Sequence, residues 1–138
     1  MDLTPVVERL RGQCPTLRLV GSSAELDTAL DVALALPAAF CVPLSESARS
    51  NPMTLLHEVT QRFGVLLVVS NRRDASGAAA LVDLNALRLA VRTALIGWVP
   101  NPTEGEPVMY SGGALMRLDA DSRLWWTEEY ELKTYWKV

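Results

Sequence analysis

The last fifteen residues, LWWTEEYELKTYWKV, constrain the fold of this chain more than any other segment. Three of the four tryptophans and two of the three tyrosines lie here. Successive side chains of a strand point to opposite faces. With a period of two residues, one face of this segment is mostly apolar and the other is mostly charged. The apolar face carries Leu124, Trp126, Glu128, Tyr130, Leu132, Thr134, Trp136 and Val138. The pattern predicts a half-buried strand over Arg123–Val138.

This predicted strand is too long for the domain that holds it. Sixteen residues span roughly 50 Å, whereas a compact domain of this size is roughly 35–40 Å across. The preceding strand, Val108–Leu118, is shorter, so we expect pairing within the chain to end before residue 138. The strand could bend over its own helices, or another copy could cover it. We favour a second copy, because uncovered apolar edges aggregate and interfaces are rich in Trp and Tyr. The predicted subunit interface is Trp126, Tyr130, Leu132, Tyr135 and Trp136.

The rest of the chain predicts one domain, residues 1–138, of α/β (α+β) class. We expect a mixed β-sheet packed with helices and ending in a long C-terminal β-hairpin. The predicted helices are Thr4–Arg11, a segment from Ser22 towards Pro37, Asn51–Phe63 and Ala78–Leu95, and the other strands are Leu17–Val20, Ala38–Leu44 and Gly64–Val69. The core stripe of the longest helix is predicted to be Leu81, Leu84, Leu87, Val91 and Leu95. Predicted loops are Ser45–Asn51, Asn71–Gly77 and the hairpin turn Asp119–Ser122.

Composition argues against several classes of protein. A formal charge of −3 is unlike the basic face of a dedicated nucleic-acid binder. No apolar run approaches the roughly 18 residues of a membrane helix. The N-terminal segment lacks the pattern of a signal peptide, so we expect use in a cytoplasm, where Cys14 and Cys41 remain thiols.

No motif predicts catalysis, a cofactor or a metal. His57 is the only histidine, and no second ligand lies at metal-binding spacing from it. Neither cysteine has neighbours that would stabilise a thiolate for a Cys/His hydrolase. Asp119 and Asp121 are interpreted as turn residues. Arg72 and Arg73 form the only local basic cluster, either a solvated turn or a contact to an acidic neighbour or a phosphate backbone.

The later half of the sequence resembles the tail terminator proteins of tailed bacteriophages and prophages. The resemblance lies in the succession Leu95-Ile96-Gly97-Trp98-Val99-Pro100, then Tyr110-Ser111-Gly112-Gly113-Ala114-Leu115, then Leu124-Trp125-Trp126, and the upstream order of elements agrees. It implies structural and interface roles for Gly97, Trp98, Pro100, Tyr110, Gly112, Gly113 and Trp125. It implies no enzymatic activity.

The resemblance also implies a place in the virion. Such a protein forms a ring, typically of six copies, which caps the tail tube, stops its polymerisation and offers a surface to the head–tail connector. DNA passes through the lumen, and six copies at −3 each total −18, so we expect a neutral or acidic passage. Loops Ser45–Asn51 and Asn71–Gly77, the latter with Arg72 and Arg73, are candidate tube or head contacts. We expect assembly in the cytoplasm of a host bacterium.

Two other classes of function remain open at this point. One is another neck or tail-tube component of the same virion. The other is a dimeric domain that binds a small ligand between Trp98 and Trp125.

Overall fold

The computed structural model describes residues 1–29, 35–71, 78–118 and 122–137. Within them a five-stranded sheet packs with three helices, in the chain order α1 (Thr4–Gln13), β1 (Leu19–Ser22), α2 (Ser23–Ala29), β2 (Ala38–Asn51), β3 (Leu56–Ser70), α3 (Ala78–Leu95), β4 (Met109–Leu118) and β5 (Arg123–Lys137). The strand order is β1-β2-β3-β5-β4; β1 is parallel to β2, and all other neighbours are antiparallel. The predicted α+β class and C-terminal hairpin are confirmed.

Helices α1 and α3 pack on one face of the sheet and form the main core with it. In α3 the predicted stripe of Leu84, Leu87, Val91 and Leu95 is buried, but the prediction for Leu81 is wrong, because its side chain is 55% exposed. Ala80 is buried instead. A helix advances about 100° per residue, so Ala80 falls within the stripe while Leu81 lies on its flank.

The opposite face carries a second, smaller core near β1 and α2. It comprises Ala38, Phe40, Leu66, Val68 and Trp125, with Leu26 of α2 packed against them. Trp125 falls on the mostly charged face of the predicted half-buried strand, where we expected contact with water, but it is only 2% exposed. The prediction is wrong for this end of β5, because helices cover the sheet on both faces here.

The region between Ser45 and Phe63 corrects two predictions. Residues predicted as a loop and then a helix instead form a hairpin, in which β2 pairs with β3 from Ser45↔Arg62 to Asn51↔Leu56. The four-residue spacing of Leu55, Val59 and Phe63 matches one face of a helix. From position 57 onwards, however, every second residue can also lie on the buried face of a strand. Strands on both sides of β3 decide the outcome, since each adds a ladder of backbone hydrogen bonds.

The expectation that β5 outruns its partners is also wrong. It pairs with β3 along its whole described length, from Arg123↔Ser70 to Lys137↔Leu56. On its other side β5 pairs first with β4 and then, towards its C-terminal end, with the loop that precedes β4 in the chain. There the Glu106 N–H donates to the Lys133 carbonyl at 2.9 Å, and the Tyr135 N–H donates to the Glu104 carbonyl at 2.8 Å. The error follows from the missed strand, because β3 matches the length of β5.

The distal end of the sheet projects beyond the helix layer. We call this part, residues 45–51, 56–62 and 131–137, the arm. At about 3.3 Å per residue β3 is roughly 46 Å long, more than the expected width of the domain. Within β3, Val59 is the last fully buried residue towards the turn that joins β2 to β3. Among the described residues β1 pairs only with Ala38–Cys41, so the outer edge of β2 is open along the arm.

Candidate assembly surfaces

An exposed apolar group lies at the end of the arm. The side chains of Met53, Leu55, Leu56 and Trp136 are 40–90% exposed, and we call them the tip cluster. The turn is held by Asn51, whose carbonyl accepts the Leu55 N–H at 2.8 Å and whose side chain accepts the Met53 N–H at 2.9 Å. Leu55 has φ of 57°, in the left-handed region that a bulky residue rarely adopts. The turn therefore presents a strained leucine to solvent.

His57 lies beside the tip cluster and not in a catalytic site. It is directly opposite Trp136 in the ladder, and its Nδ1 is 2.7 Å from the Ser50 hydroxyl. Cys41 pairs with Val65, eight residues further along β3, so about 26 Å separates its position from His57. No cluster of three or more potential metal ligands occurs in the described part of the chain.

The predicted interface residues separate into buried and accessible groups. Tyr130 is fully buried between Phe63 and Tyr110, with ring centroids 5.6 Å apart in each pair, and burial raises its pKa. Leu132 packs against the same core and is only partly buried. The Tyr135 hydroxyl donates to Glu106 at 2.7 Å, which raises the pKa of Tyr135 and fastens the 104–106 loop to β5. Of this set Trp136 is the most exposed.

Trp126 belongs to an ionic cluster between α3 and the sheet. Its indole Nε1 donates to Glu128 at 3.0 Å, and the Arg88 guanidinium stacks over its ring at 4.3 Å. Glu128 is fully buried and also accepts from Arg88 and from Arg92, the latter at 3.3 Å. Arg92 in turn donates to the Tyr110 hydroxyl at 3.1 Å.

Sequence reasoning missed this ionic cluster, although the sequence contains a signal for it. Glu128 stands among the residues of the apolar face of β5, where a lone carboxylate needs a partner. Arg88 and Arg92 are spaced i, i+4 and therefore lie on one side of α3. A buried acid and a basic pair on the covering helix together indicate such a cluster.

The residues of the tail-terminator motif lie along the junction of α3, β4 and β5. Gly97 has φ of 85° and ends α3, and its N–H donates to the Val108 carbonyl at 2.9 Å. Trp98 follows, with the Arg9 guanidinium stacked on its ring at 4.8 Å. Pro100 lies in the segment between α3 and β4. Gly97 thus ends the helix as predicted, and the interface roles that the resemblance implies for these residues stay a prediction.

The glycine pair of the motif shapes β4. Gly112 has φ of 142° and lies at a register shift in the pairing with β5. At Gly113 an added Cβ would lie 3.0 Å from the Trp126 ring and 3.0 Å from the Tyr110 hydroxyl. Trp125 lies on the opposite face, stacked on Phe40 with centroids 6.3 Å apart.

A second exposed apolar group borders the ionic cluster. Leu115 is directly opposite Trp126 and shares its side of the sheet. Leu81, about 20° from Arg88 around the helix, is exposed on the same flank of α3, whereas Val82 and Leu89 face outward, about 100° or more further round. We call the pair Leu81 and Leu115, 55% and 56% exposed, the shelf.

Several residues that the sequence suggested as site candidates do not come together in the structure. Trp98 packs against the main core and Trp125 belongs to the second core on the other face, so they cannot line one pocket. A groove of about 790 Å³ beside α3 contains neither of them. Arg72, Arg73, Asp119 and Asp121 lie outside the described residues. Ser45–Asn51 is strand, not loop.

Comparison with known proteins decides the family. The sequence matches the phage tail terminator protein family over residues 1–137. The chain belongs to that family. It is accordingly a structural component of a phage tail.

A search of solved structures found the same fold. A chain from the virion of a native gene transfer agent particle superposes with a TM-score of 0.60 at 11% identity, covering 96% of this chain and 95% of that one. At such low identity the likeness shows the fold alone. No curated protein matches the sequence. Within the described residues, no helix is long and apolar enough to cross a membrane.

Proposed function

We propose that this protein forms a closed ring of six copies at the head-proximal end of a phage tail tube. The ring stops further polymerisation of the tube and offers its outer surface to the head–tail connector. Membership of the tail terminator family supports this proposal.

The observation that carries the proposal is the arm. It extends beyond the helices of its own subunit and ends in exposed apolar side chains. Leu132, Tyr135 and Trp136 lie on the arm, and Trp126 lies beside the shelf. These four are retained as interface residues, while Tyr130 supports the core beneath them. A contact between two different surfaces of identical subunits closes into a ring when the rotation allows it.

Termination follows from an asymmetry between the two sides of the ring. One side binds the tube end, and the other lacks the surface that would accept the next tube subunit. Residues 45–51 of the arm and the segment 71–77, with Arg72 and Arg73, are proposed tube or head contacts. With a formal charge of −18 for six copies, the ring does not hold DNA in its lumen tightly.

The test is a tube-growth assay. Tail tube protein of the same virion is polymerised alone and with increasing amounts of this protein, and tube lengths are measured by negative-stain microscopy. Shorter tubes that carry a ring at one end are the expected result, with an unrelated protein of similar size as the control. Unchanged lengths would contradict the proposal. Incorporation along the tube would favour the alternative of a neck or tube component.

A further inference from the structure

The sheet has two open edges in the part of the chain that the structure describes. β4 pairs only with β5, so its other side carries unpaired backbone N–H and C=O groups. β1 covers β2 only as far as Cys41, and residues 43–51 of β2 are all exposed. An unpaired strand edge binds another strand through backbone hydrogen bonds. The sheet can therefore be extended on both sides.

The two edges agree in length and in the side of the sheet that they present. β4 has ten residues and the open stretch of β2 has nine. Ser47 pairs with Thr60, which pairs with Lys133 of β5, and Ala114 pairs with Thr127 of β5. Lys133 and Thr127 are six residues apart on one strand, so Ser47 and Ala114 lie on the same side of the sheet. A strand pair that joins these two residues keeps both faces of the sheet continuous.

The directions of the two edge strands suit an antiparallel pair. Each of β2, β3, β5 and β4 is antiparallel to its neighbour in this order, so β2 and β4 run in opposite directions. Rotation about a ring axis does not change whether a strand runs up or down that axis. β4 of one copy therefore runs antiparallel to β2 of the next copy, the arrangement that forms the more stable ladder.

The side chains of β4 favour an edge that is covered after assembly. Met109, Leu115 and Met116 are 51–56% exposed, so three of the ten residues of this edge strand present large apolar groups to water. An exposed apolar edge strand aggregates unless another strand covers it.

The relative height of the two edges matches a closed sheet. Ser47 lies level with Thr60 of β3, whereas Ala114 lies level with Thr127 and hence with Leu66, six residues or about 20 Å further along β3. The four strands from β2 to β4 occupy about 19 Å across the sheet. Subunits of a ring lie at equal height, so joining Ala114 to Ser47 of the next copy tilts the strands by about 45° from the ring axis. Closed sheets have strand tilts of about 35–45°.

We propose that β4 of one copy pairs with residues 43–51 of β2 in the next copy, so that one sheet runs around the whole ring. This inference rests on the proposed ring and names its subunit contact. The occupant is a second copy because each chain carries one edge of each kind, and the two edges match in length, direction and height. Pairing them uses each edge once per subunit, which suits a closed ring.

Two cysteine variants test the contact and its register. Directly opposite residues of an antiparallel pair have Cβ atoms about 4.5–5.5 Å apart, close to the span of a disulfide. Chains with Ser47→Cys and chains with Ala114→Cys are mixed and oxidised, free at up to about 1 mM and on capped tubes. The mixture is expected to give a linked dimer that does not grow. A thiol cross-linker with a span of about 8 Å is applied in parallel and reaches the diagonal neighbours.

A control mixture shows whether the linkage is specific. It contains Asn85→Cys, on the exposed side of α3, in place of Ala114→Cys, and little linked product is expected. The native Cys14 and Cys41 are buried, and the parent chain measures their background. No linked dimer with either reagent, equal linking in the control mixture, or efficient linking of Ser47→Cys chains to each other would each overturn the proposed contact.

Proline substitutions test the backbone bonds of the same edge. Neighbouring residues of β2 alternate in whether the N–H faces β3 or the open side. Of Ser47→Pro and Ala48→Pro, one therefore removes a bond to β3 and lowers the melting temperature, while the other keeps the fold intact. The intact variant is expected to associate about tenfold more weakly than the parent chain in analytical ultracentrifugation. Unchanged association of that variant would contradict the pairing.

The tube-growth assay separates this contact from the proposed function. A parent chain that shortens tubes, but shows no linkage between positions 47 and 114 on the capped tubes, would reject the contact alone. Linkage in a chain that leaves tube lengths unchanged would reject the capping function and keep the contact.

Discussion

Glu128 of β5 is fully buried and accepts a hydrogen bond from the Nε of Arg88 on α3. The same carboxylate binds the guanidinium of Arg92 and the indole of Trp126. One acid thus joins the longest helix to the sheet and fixes the aromatic ring beside the shelf. The arginines are partly exposed, so water weakens the interaction of their outer groups.

Glu128→Gln is expected to lower the free energy of unfolding by about 2–3 kcal/mol. The amide cannot balance two guanidinium groups, and its NH₂ places a donor against other donors. Chemical denaturation of the two proteins measures the difference. Glu129→Gln is the matched control, because the side chains of its 3.9 Å pair with Arg62 are 41–44% exposed, and we expect a change below about 0.5 kcal/mol. Equal effects of both substitutions would contradict a special role for the buried acid.

Gly113→Ala is expected to destabilise the fold by about 1–2 kcal/mol. The added methyl group would press on Trp126, which cannot move away easily because Arg88 and Glu128 hold it. Gly12→Ala in α1 is the control, since nothing lies within 4 Å of its added Cβ, and alanine favours the helix by up to about 1 kcal/mol. Thermal unfolding should therefore give shifts of opposite sign. A neutral result at position 113 would show that the indole ring can yield.

Cys41 predicts a loss of stability in alkali. Burial raises the pKa of its thiol from 9.0 to about 12. The folded state thus keeps the proton when the unfolded chain would lose it. This contribution is complete below pH 9 and disappears as the pH rises towards 12, at most about 4 kcal/mol. Cys41→Ala should lower stability at neutral pH but flatten its decline above pH 9, as measured by denaturation at several pH values. Parallel curves for the two proteins would refute this assignment.

The sequence predicted those helices and strands whose apolar residues fall on the side of the element that the fold buries. The stripe of α3 and the buried part of β3 are apolar where the core requires it, so period and burial agree. The C-terminal strand was predicted for the same reason. Its partner along the arm was not, because the polar residues 45–51 resemble a loop and the spacing of Leu55, Val59 and Phe63 also suits a helix. Only pairing between distant segments reveals that they are strands.

The predicted interface residues differ in how accessible the structure leaves them. Trp136 was predicted from the aromatic content and the period-two pattern of the C-terminal strand, and it is exposed on the arm. Tyr130 is also aromatic and lies on the same face of the strand, but Phe63 and Tyr110 bury it. A period-two pattern cannot indicate that burial. The exposed leucine at position 55 could not be foreseen, because a positive φ at a bulky residue depends on how the turn closes.

The arm also sets a scale for the proposed particle. Because β3 is held by neighbours on both sides, the arm acts as a stiff spacer between the core of the subunit and its exposed end. In the proposed ring, the diameter of the hole would then depend on a count of residues in these paired strands. Lengthening all three strands of the arm by two residues would keep every side chain on its own face and move the tip cluster about 7 Å further from the core. Strand length would thus serve as the gauge that matches the opening to the tube beneath it.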